Sequence, residues 1–456
     1  MKKNSFFLVC FLLVTHFALT AAGMTENPAP TELKIPAFQK ISAAEVKKGI
    51  SDNSIILVDA RHSDHYAGWT TSENKKGGHI AGAVDFSANW LSCSFNDKKN
   101  FDNMTREQHL EKYLADKQIQ KNSSLIVYDE NGKDAIAVAS YFYTKGIKNI
   151  KLFDLAEWND DLVKYPNYQL YLPPSVVNEI ISGRTVEELG AIKDLKILEI
   201  SWGTLEDSGY LNGHVPGAFH VNSDDFDNES NYYTLDSDDV LLELALSLGI
   251  TKDSTVICTG LPIFACRYAI ILKYLGVKNV YVMSGGITGW TDAGYQLEKI
   301  KNIPVPVKSF GFSKPANPDL IDTIAEVQKN LAHENFCLID TRTREEYIGK
   351  TSGYSYFKKA GRIDGAIHGC SGQGSSSSML YYQNIDTTMR NAYEIQAAWK
   401  KAGIDINKHL SFYCGNGYRA AEAMWDALVM GFNNVSLFSD GWCGWAAAGL
   451  PAVTGE

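Results

Sequence analysis

A helix-ending glycine, a turn containing asparagine and an apolar strand recur three times along the chain. They read Gly146-Ile147-Lys148-Asn149-Ile150, Gly276-Val277-Lys278-Asn279-Val280 and Gly431-Phe432-Asn433-Asn434-Val435. Glycine suits the left-handed position that closes a helix, and the apolar run after it suits a strand. The residues 17 positions before the three glycines are Asp129, Thr259 and Cys414. Each stands at the end of an apolar stretch: Leu125–Tyr128, Thr255–Cys258 and Leu410–Tyr413. The register holds from both sides without gaps, so one folding unit is repeated.

Marks further upstream repeat with it. Asp59-Ala60-Arg61 closes the apolar run Ile55–Val58, and Asp340-Thr341-Arg342 closes Phe336–Ile339. The middle copy has Glu199-Ile200-Ser201 there and departs from the pattern. Next come His79-Ile80-Ala81-Gly82-Ala83, His214-Val215-Pro216-Gly217-Ala218 and Arg362-Ile363-Asp364-Gly365-Ala366, with arginine replacing histidine in the third. Gly286 with Trp290, and Gly441 with Trp445, match in copies two and three, whereas Trp158 is slightly displaced in copy one.

Short apolar strands alternating with helical stretches predict an α/β fold: three tandem domains, each an open, mostly parallel sheet flanked by helices. The expected domains are residues 38–172, 183–300 and 318–456. Pro173-Pro174 marks the first boundary, and Pro304, Pro306, Pro315 and Pro318 mark an extended second one. Residues 23–37 read as an unstructured arm.

The chemistry concentrates in the third copy, the only one with sulfur at the repeated strand end. After Cys414 come Gly415, Asn416, Gly417, Tyr418 and Arg419, then an alanine-rich helix. A thiol between a strand and a helix N-terminus is easily ionised, because N–H groups and the positive end of the helix dipole stabilise the thiolate. Arg419 adds a fixed positive charge, and the glycines let several N–H groups turn toward one anion. A buried structural thiol is the alternative for a cysteine standing alone. The combination of Cys414, two glycines and Arg419 favours a reactive one.

This loop resembles the rhodanese family of sulfurtransferases. Cys414-x4-Arg419 is one residue shorter than the Cys-x5-Arg loop with which dual-specificity phosphatases enclose phosphate, and Tyr413 stands where a phosphatase has histidine. CGNGYR is similar to the CGTGWR loop of the three-domain periplasmic thiosulfate sulfurtransferases of the family. The resemblance implies that Cys414 attacks the outer sulfur of thiosulfate, releases sulfite and carries a persulfide. Cyanide, a small thiol or a protein acceptor then takes the sulfur. It implies substrate binding by Gly415, Asn416, Gly417, Tyr418 and Arg419, with the planar fork of Arg419 on the sulfonate. Arg419 paired with a carboxylate is the alternative. Tyr418 either walls the site or packs into it. Trp442, in the loop after the next strand, either borders the pocket or is a packed aromatic. Asp340 with Arg342 reads as a structural ion pair behind the loop.

Asp129 makes copy one inert for persulfide chemistry. Copy two has Thr259, and Cys258 and Cys266 read as core thiols. These two domains form a scaffold that walls the entrance to the third site. The segment Gly369–Gln383, with Ser375–Ser378 in a row, is expected to be a mobile loop lying over Cys414 or in solvent. Two rival functions remain. One is a 3-mercaptopyruvate sulfurtransferase, whose loops read CG[ST]GVT where this chain has Tyr418-Arg419. The other is a non-catalytic carrier of sulfane sulfur that serves a partner protein.

Lys2 and Lys3 before the apolar run Phe6–Leu19, then Thr20-Ala21-Ala22, predict a cleaved signal peptide over residues 1–22 and a periplasmic or secreted protein. The run is short for a membrane span and contains His16. Cys10 lies inside the run and is not read as a lipid-attachment site. The full chain has formal charge −10, and its loss of Lys2 and Lys3 leaves 41 basic against 53 acidic residues, or −12. With no long basic run, nucleic acid is excluded as a partner. Seven cysteines remain after Cys10, an odd and irregularly spaced set that points to a free thiol rather than a disulfide framework. No Cys-x2-Cys pair suggests zinc, so neither metal nor cofactor is expected.

Overall fold

The three repeats fold into three five-stranded sheets, all parallel, with one strand order. In a computed structural model describing residues 34–71, 74–98 and 100–456, the third sheet runs Ile321–Asp322, Val435–Phe438, His409–Tyr413, Phe336–Asp340, Ile367–His368 from edge to edge. The first runs Gln39–Lys40, Asn149–Asp154, Ser124–Asp129, Ile56–Asp59, Val84–Asp85. The second runs Tyr171–Leu172, Asn279–Met283, Thr255–Gly260, Leu195–Ser201, Ala218–Asn222. Parallel neighbours need crossover helices, which cover both faces and leave the central strands apolar throughout. The central strand of the third sheet shows this, with Leu410, Ser411, Phe412 and Tyr413 all buried.

The repeated marks have repeated structural roles. Gly146, Gly276 and Gly431 have φ of +90°, +113° and +91°, the left-handed turn that ends each helix. His79 stacks on Tyr66 and His214 on Tyr210, with ring centres 3.8 and 3.7 Å apart. In the third copy Arg362 replaces this stack with a cation over the Tyr347 ring, 4.5 Å from its centre.

The second domain starts earlier than the sequence suggests. Tyr171–Leu172 is its edge strand, inside the 38–172 segment assigned to copy one. Pro174, expected to mark the boundary, opens the helix Pro174–Ile181 instead, because proline at the first helical position loses no hydrogen bond. The proline-rich stretch before residue 318 lies along domain two. There Val307 N–H donates to the Leu246 carbonyl at 3.0 Å and Lys252 N–H to that of Phe310 at 2.9 Å. The expected signal peptide, Cys10 and the arm up to residue 33 lie outside the described residues, while Lys34–Ala37 are exposed without helix or strand. Among the described residues no helix is long and apolar enough to cross a membrane.

Candidate active site

Cys414 follows directly on the strand His409–Tyr413, and the helix Tyr418–Val429 begins just beyond it. Gly417 joins the two with φ of +92°, and a Cβ there would lie 2.3 Å from Arg267 Nη1. A Cβ at 415 would fall 2.1 Å from the Tyr354 hydroxyl oxygen. The N–H groups of Trp442 and Cys443 donate to the carbonyls of Cys414 and Gly415 at 2.8 and 2.9 Å. Those carbonyls are therefore tied back toward the core. No hydrogen bond among the described residues takes up the N–H groups of Gly415, Asn416 or Gly417. Such a row of N–H groups, continued by the helix N-terminus, is an anion cradle.

Domain one shows what the same loop holds when the residue is acidic. The Asp129 carboxylate sits where Cys414 stands and accepts from Gly132 N–H at 3.0 Å and Ala135 N–H at 2.8 Å. Its own side chain fills the cradle. Domain two has dismantled it: Pro262 begins the helix, and the Thr259 hydroxyl turns back to within 2.9 Å of the Leu198 carbonyl and 2.8 Å of the Glu199 carboxyl.

A cavity of about 520 Å³ opens onto Cys414. Domain three contributes Tyr354, Tyr356, Ser376, Ser377, Asn416, Tyr418 and Arg419 to its walls. Domain two contributes Trp202, Ser223, Tyr233, Ile263 and Phe264, so it does wall the entrance. Phe264 meets Tyr418 edge-on at 5.0 Å, as Tyr233 does Tyr356. The Asn416 side-chain amide donates to the Tyr356 hydroxyl at 2.8 Å. Tyr418 both walls the cavity and reaches domain two, where its hydroxyl donates to Asp227 at 2.7 Å.

Arg419 lies in the wall with its charge already engaged. Nη1 and Nη2 donate to the Glu346 carboxylate at 2.9 and 2.8 Å, and Nη2 donates to the Tyr354 hydroxyl at 2.7 Å. Only its Nε has no partner among the described residues. Burial pushes the Glu346 carboxyl up, but the guanidinium groups of Arg419 and Arg342 outweigh it and hold the carboxyl down to about 2. The carboxylate alternative for Arg419 is thus realised, leaving the Nε–H and one Nη1 N–H uncommitted.

Asp340 and Arg342 form the expected ion pair, with Nε at 2.9 Å and Nη2 at 2.6 Å from the carboxylate. Asp59 and Arg61 repeat it in domain one at 2.9 and 2.6 Å. Trp442 does not line this cavity. Its indole N–H donates to the Lys359 carbonyl at 2.8 Å and its ring faces Arg342, which holds it in the core. The segment Gly369–Gln383 is anchored rather than free. Ser376 and Ser377 face the cavity, Tyr382 donates to the Gly369 carbonyl at 2.9 Å, and Gln383 donates to Glu422 at 2.7 Å.

All seven cysteines of the described residues are free thiols. Cys258 and Cys266 are fully buried, which pushes both thiols far up. Burial also raises Cys370 to about 11 and Cys443 to about 12. Of the seven, Cys414 alone lines the cavity.

Sequence reasoning missed Tyr354, Tyr356, Glu346 and the aromatic residues from domain two. Glu346 was disguised as a cap. Thr343 and Glu346 make a capping box, with Thr343 N–H donating to Glu346 at 2.9 Å, and the same carboxylate pairs with Arg419. The Tyr354-x-Tyr356 pair was the one local signal available.

The rhodanese-like domain model matches residues 42–159, 185–293 and 323–448. The chain belongs to the rhodanese family. The thiosulfate sulfurtransferase YnjE of Escherichia coli strain K12 is 34% identical over 405 residues, 88% of this chain and 89% of that protein. The thiosulfate sulfurtransferase of Bos taurus is 25% identical over 262 residues, 55% of this chain and 84% of the relative. Among solved structures, the anaerobic ergothioneine biosynthesis enzyme of Chlorobium limicola, in complex with trimethyl histidine, superposes with a TM-score of 0.83 at 29% identity. That match covers 92% of this chain and all of the other. This rhodanese is therefore a sulfurtransferase acting between small-molecule sulfur donors and acceptors.

Proposed function

We propose that this sulfurtransferase takes sulfane sulfur from thiosulfate onto Cys414 and passes it to cyanide or a thiol. The reading is carried by the Cys414 loop, in which Gly417 and Ala420 stand where Gly132 and Ala135 seat a carboxylate by their N–H groups in domain one. The Cys414 thiolate attacks the outer sulfur of thiosulfate, the S–S bond breaks, and sulfite leaves with the electron pair. The persulfide anion rests on the N–H row, and Arg419, which lines the cavity, offers an uncommitted N–H to the sulfonate. An acceptor thiolate or cyanide attacks the outer sulfur and returns Cys414 as thiolate. Two half-reactions imply ping-pong kinetics. Intact mass after thiosulfate is expected to show one added sulfur on Cys414, about 32 Da, removed by cyanide and absent in Cys414→Ser. A reduced, folded protein that gains no mass from thiosulfate would point to mercaptopyruvate as donor or to a carrier role.

A second reading concerns the acceptor. The aromatic wall of Trp202, Tyr233, Phe264, Tyr354, Tyr356 and Tyr418 suits a ring or an ammonium group better than cyanide. It favours a trimethyl-histidine acceptor like that of the Chlorobium limicola enzyme. Mixing the persulfidated protein with trimethyl histidine and finding no ergothioneine would exclude it. Export follows from residues 1–22, and N-terminal sequencing of the mature protein near Ala22 tests it.

A further inference from the structure

Three arginines lie buried around the Cys414 loop, and two of them have full counter-ions. Arg419 is held by Glu346 through two hydrogen bonds, and Arg342 likewise by Asp340. The third, Arg267, comes from domain two, on the helix Pro262–Leu275. It is fully buried, yet its ionic contact is a single one, Nη2 to Asp227 at 3.3 Å. Its Nε and Nη1 have no partner among the described residues. Asp227 is itself shared with the Tyr418 hydroxyl. A buried guanidinium with two donors unused is costly, and such groups persist where function needs them.

Its position says what that function is. Nη1 abuts Gly417, the guanidinium lies 5.4 Å from the centre of the Tyr418 ring, and Asp440 faces its charge from the start of the next helix. Arg267 therefore sits against the Cys414 loop at Gly417 without lining the cavity itself. We propose that Arg267, from domain two, is a positioning residue whose partly compensated charge draws the anionic sulfur donor to the Cys414 loop. This rests on the reading that Cys414 takes sulfur from an anion. A fixed cation behind a low-dielectric wall raises the potential in the cavity it backs. Arg419 cannot supply that potential while Glu346 cancels it. Asp227 sets how much of the Arg267 charge remains.

The test compares two alkylating agents of similar size, anionic iodoacetate and neutral iodoacetamide, on the full-length protein at about pH 8, where Asp227, raised by burial to about 7, is charged. Their rate ratio at Cys414, read by peptide mass, cancels changes in the thiol and reports the potential around it. Arg267→Met is expected to lower the ratio about threefold or more, and Arg267→Lys to stay within about twofold of wild type. Asp227→Asn is expected to raise it, the opposite sign from any shared structural damage. A folded Arg267→Met protein with the wild-type ratio overturns the proposal, and so does a fall in Asp227→Asn. If Arg267→Met does not fold, Asp227→Asn decides alone: a rise supports the proposal, and an unchanged or lower ratio overturns it. Alkylation involves no sulfur transfer, so the ratio reads Arg267 even if thiosulfate leaves no sulfur on Cys414. That last result would remove the donor reading and leave the charge assignment standing.

Discussion

Glu346 holds two jobs at once, closing the turn at Thr343 and neutralising Arg419, and its stability effect has a definite pH signature. Its folded pKa is about 2 against 4.5 for the free group, because Arg419 and Arg342 outweigh its burial. The stabilisation is full above 4.5 and lost as pH falls toward 2. Glu346→Gln leaves a buried guanidinium without its counter-charge and is expected to cost about 3 kcal/mol at neutral pH. Urea unfolding at pH 7 and again near pH 3 checks this: the gap between variant and wild type should narrow at the lower pH. A gap that stays constant would mean that Glu346 acts through its cap alone. Cys414 and its glycines were legible in the sequence because their chemistry is written in adjacent positions. The partner of Arg419 was not, because a glutamate three residues after a threonine reads first as a helix cap.

At the scale of elements, the helix Tyr418–Val429 carries a second buried acidic feature, one turn beyond Arg419. Glu422 accepts from Gln383 at 2.7 Å and Asp426 from Tyr171 at 2.9 Å, while Glu422 Oε2 and Asp426 Oδ2 have no partner among the described residues. Burial raises Glu422 to about 8, and burial together with the Glu422 charge raises Asp426 well above its usual range. Glu422 is therefore a neutral acid at pH 7. For a raised carboxyl the folded form holds the extra proton. Its contribution is therefore complete below 4.5 and lost as pH rises through 8. Glu422→Gln fixes the neutral form, so its melting temperature should gain on wild type between about pH 6 and pH 9. Parallel melting curves across that range would show that Glu422 is already ionised in the fold. The strands, the helix-ending glycines and the order of elements were all readable, because each is a local pattern repeated in register. The tyrosine behind each repeated His79, His214 or Arg362 was not, since Tyr66, Tyr210 and Tyr347 precede their partners by a variable stretch of loop.

Across the whole molecule, the third domain is completed by the other two. Its helix Tyr418–Val429 is buried at every position from Arg419 to Ala427. A helix buried on all sides needs cover on two faces. Its own sheet covers one and the domain-two helix Pro262–Leu275 the other. Domain one adds Asn167, whose side chain donates to the Leu428 carbonyl at 2.7 Å and whose N–H donates to that of Val429 at 3.1 Å. Nothing in the local sequence announces these contacts, because Tyr418 and Asp227 are 191 residues apart. The apolar character of the helix is equally consistent with a core internal to one domain. The consequence is that residues 318–456 alone would expose Ala421, Met424, Trp425 and Leu428 while losing Phe264 and Tyr233 from the cavity. Expressed by itself, this segment is expected to bind a hydrophobic dye, to self-associate, and to take up sulfur from thiosulfate at least about tenfold more slowly than the full chain. Size-exclusion chromatography and a timed mass measurement are enough to check it. A monomeric third domain that loads sulfur as fast as the full chain would reduce domains one and two to appendages. It would also remove the reason for Arg267 and Asp227 to be buried at this seam.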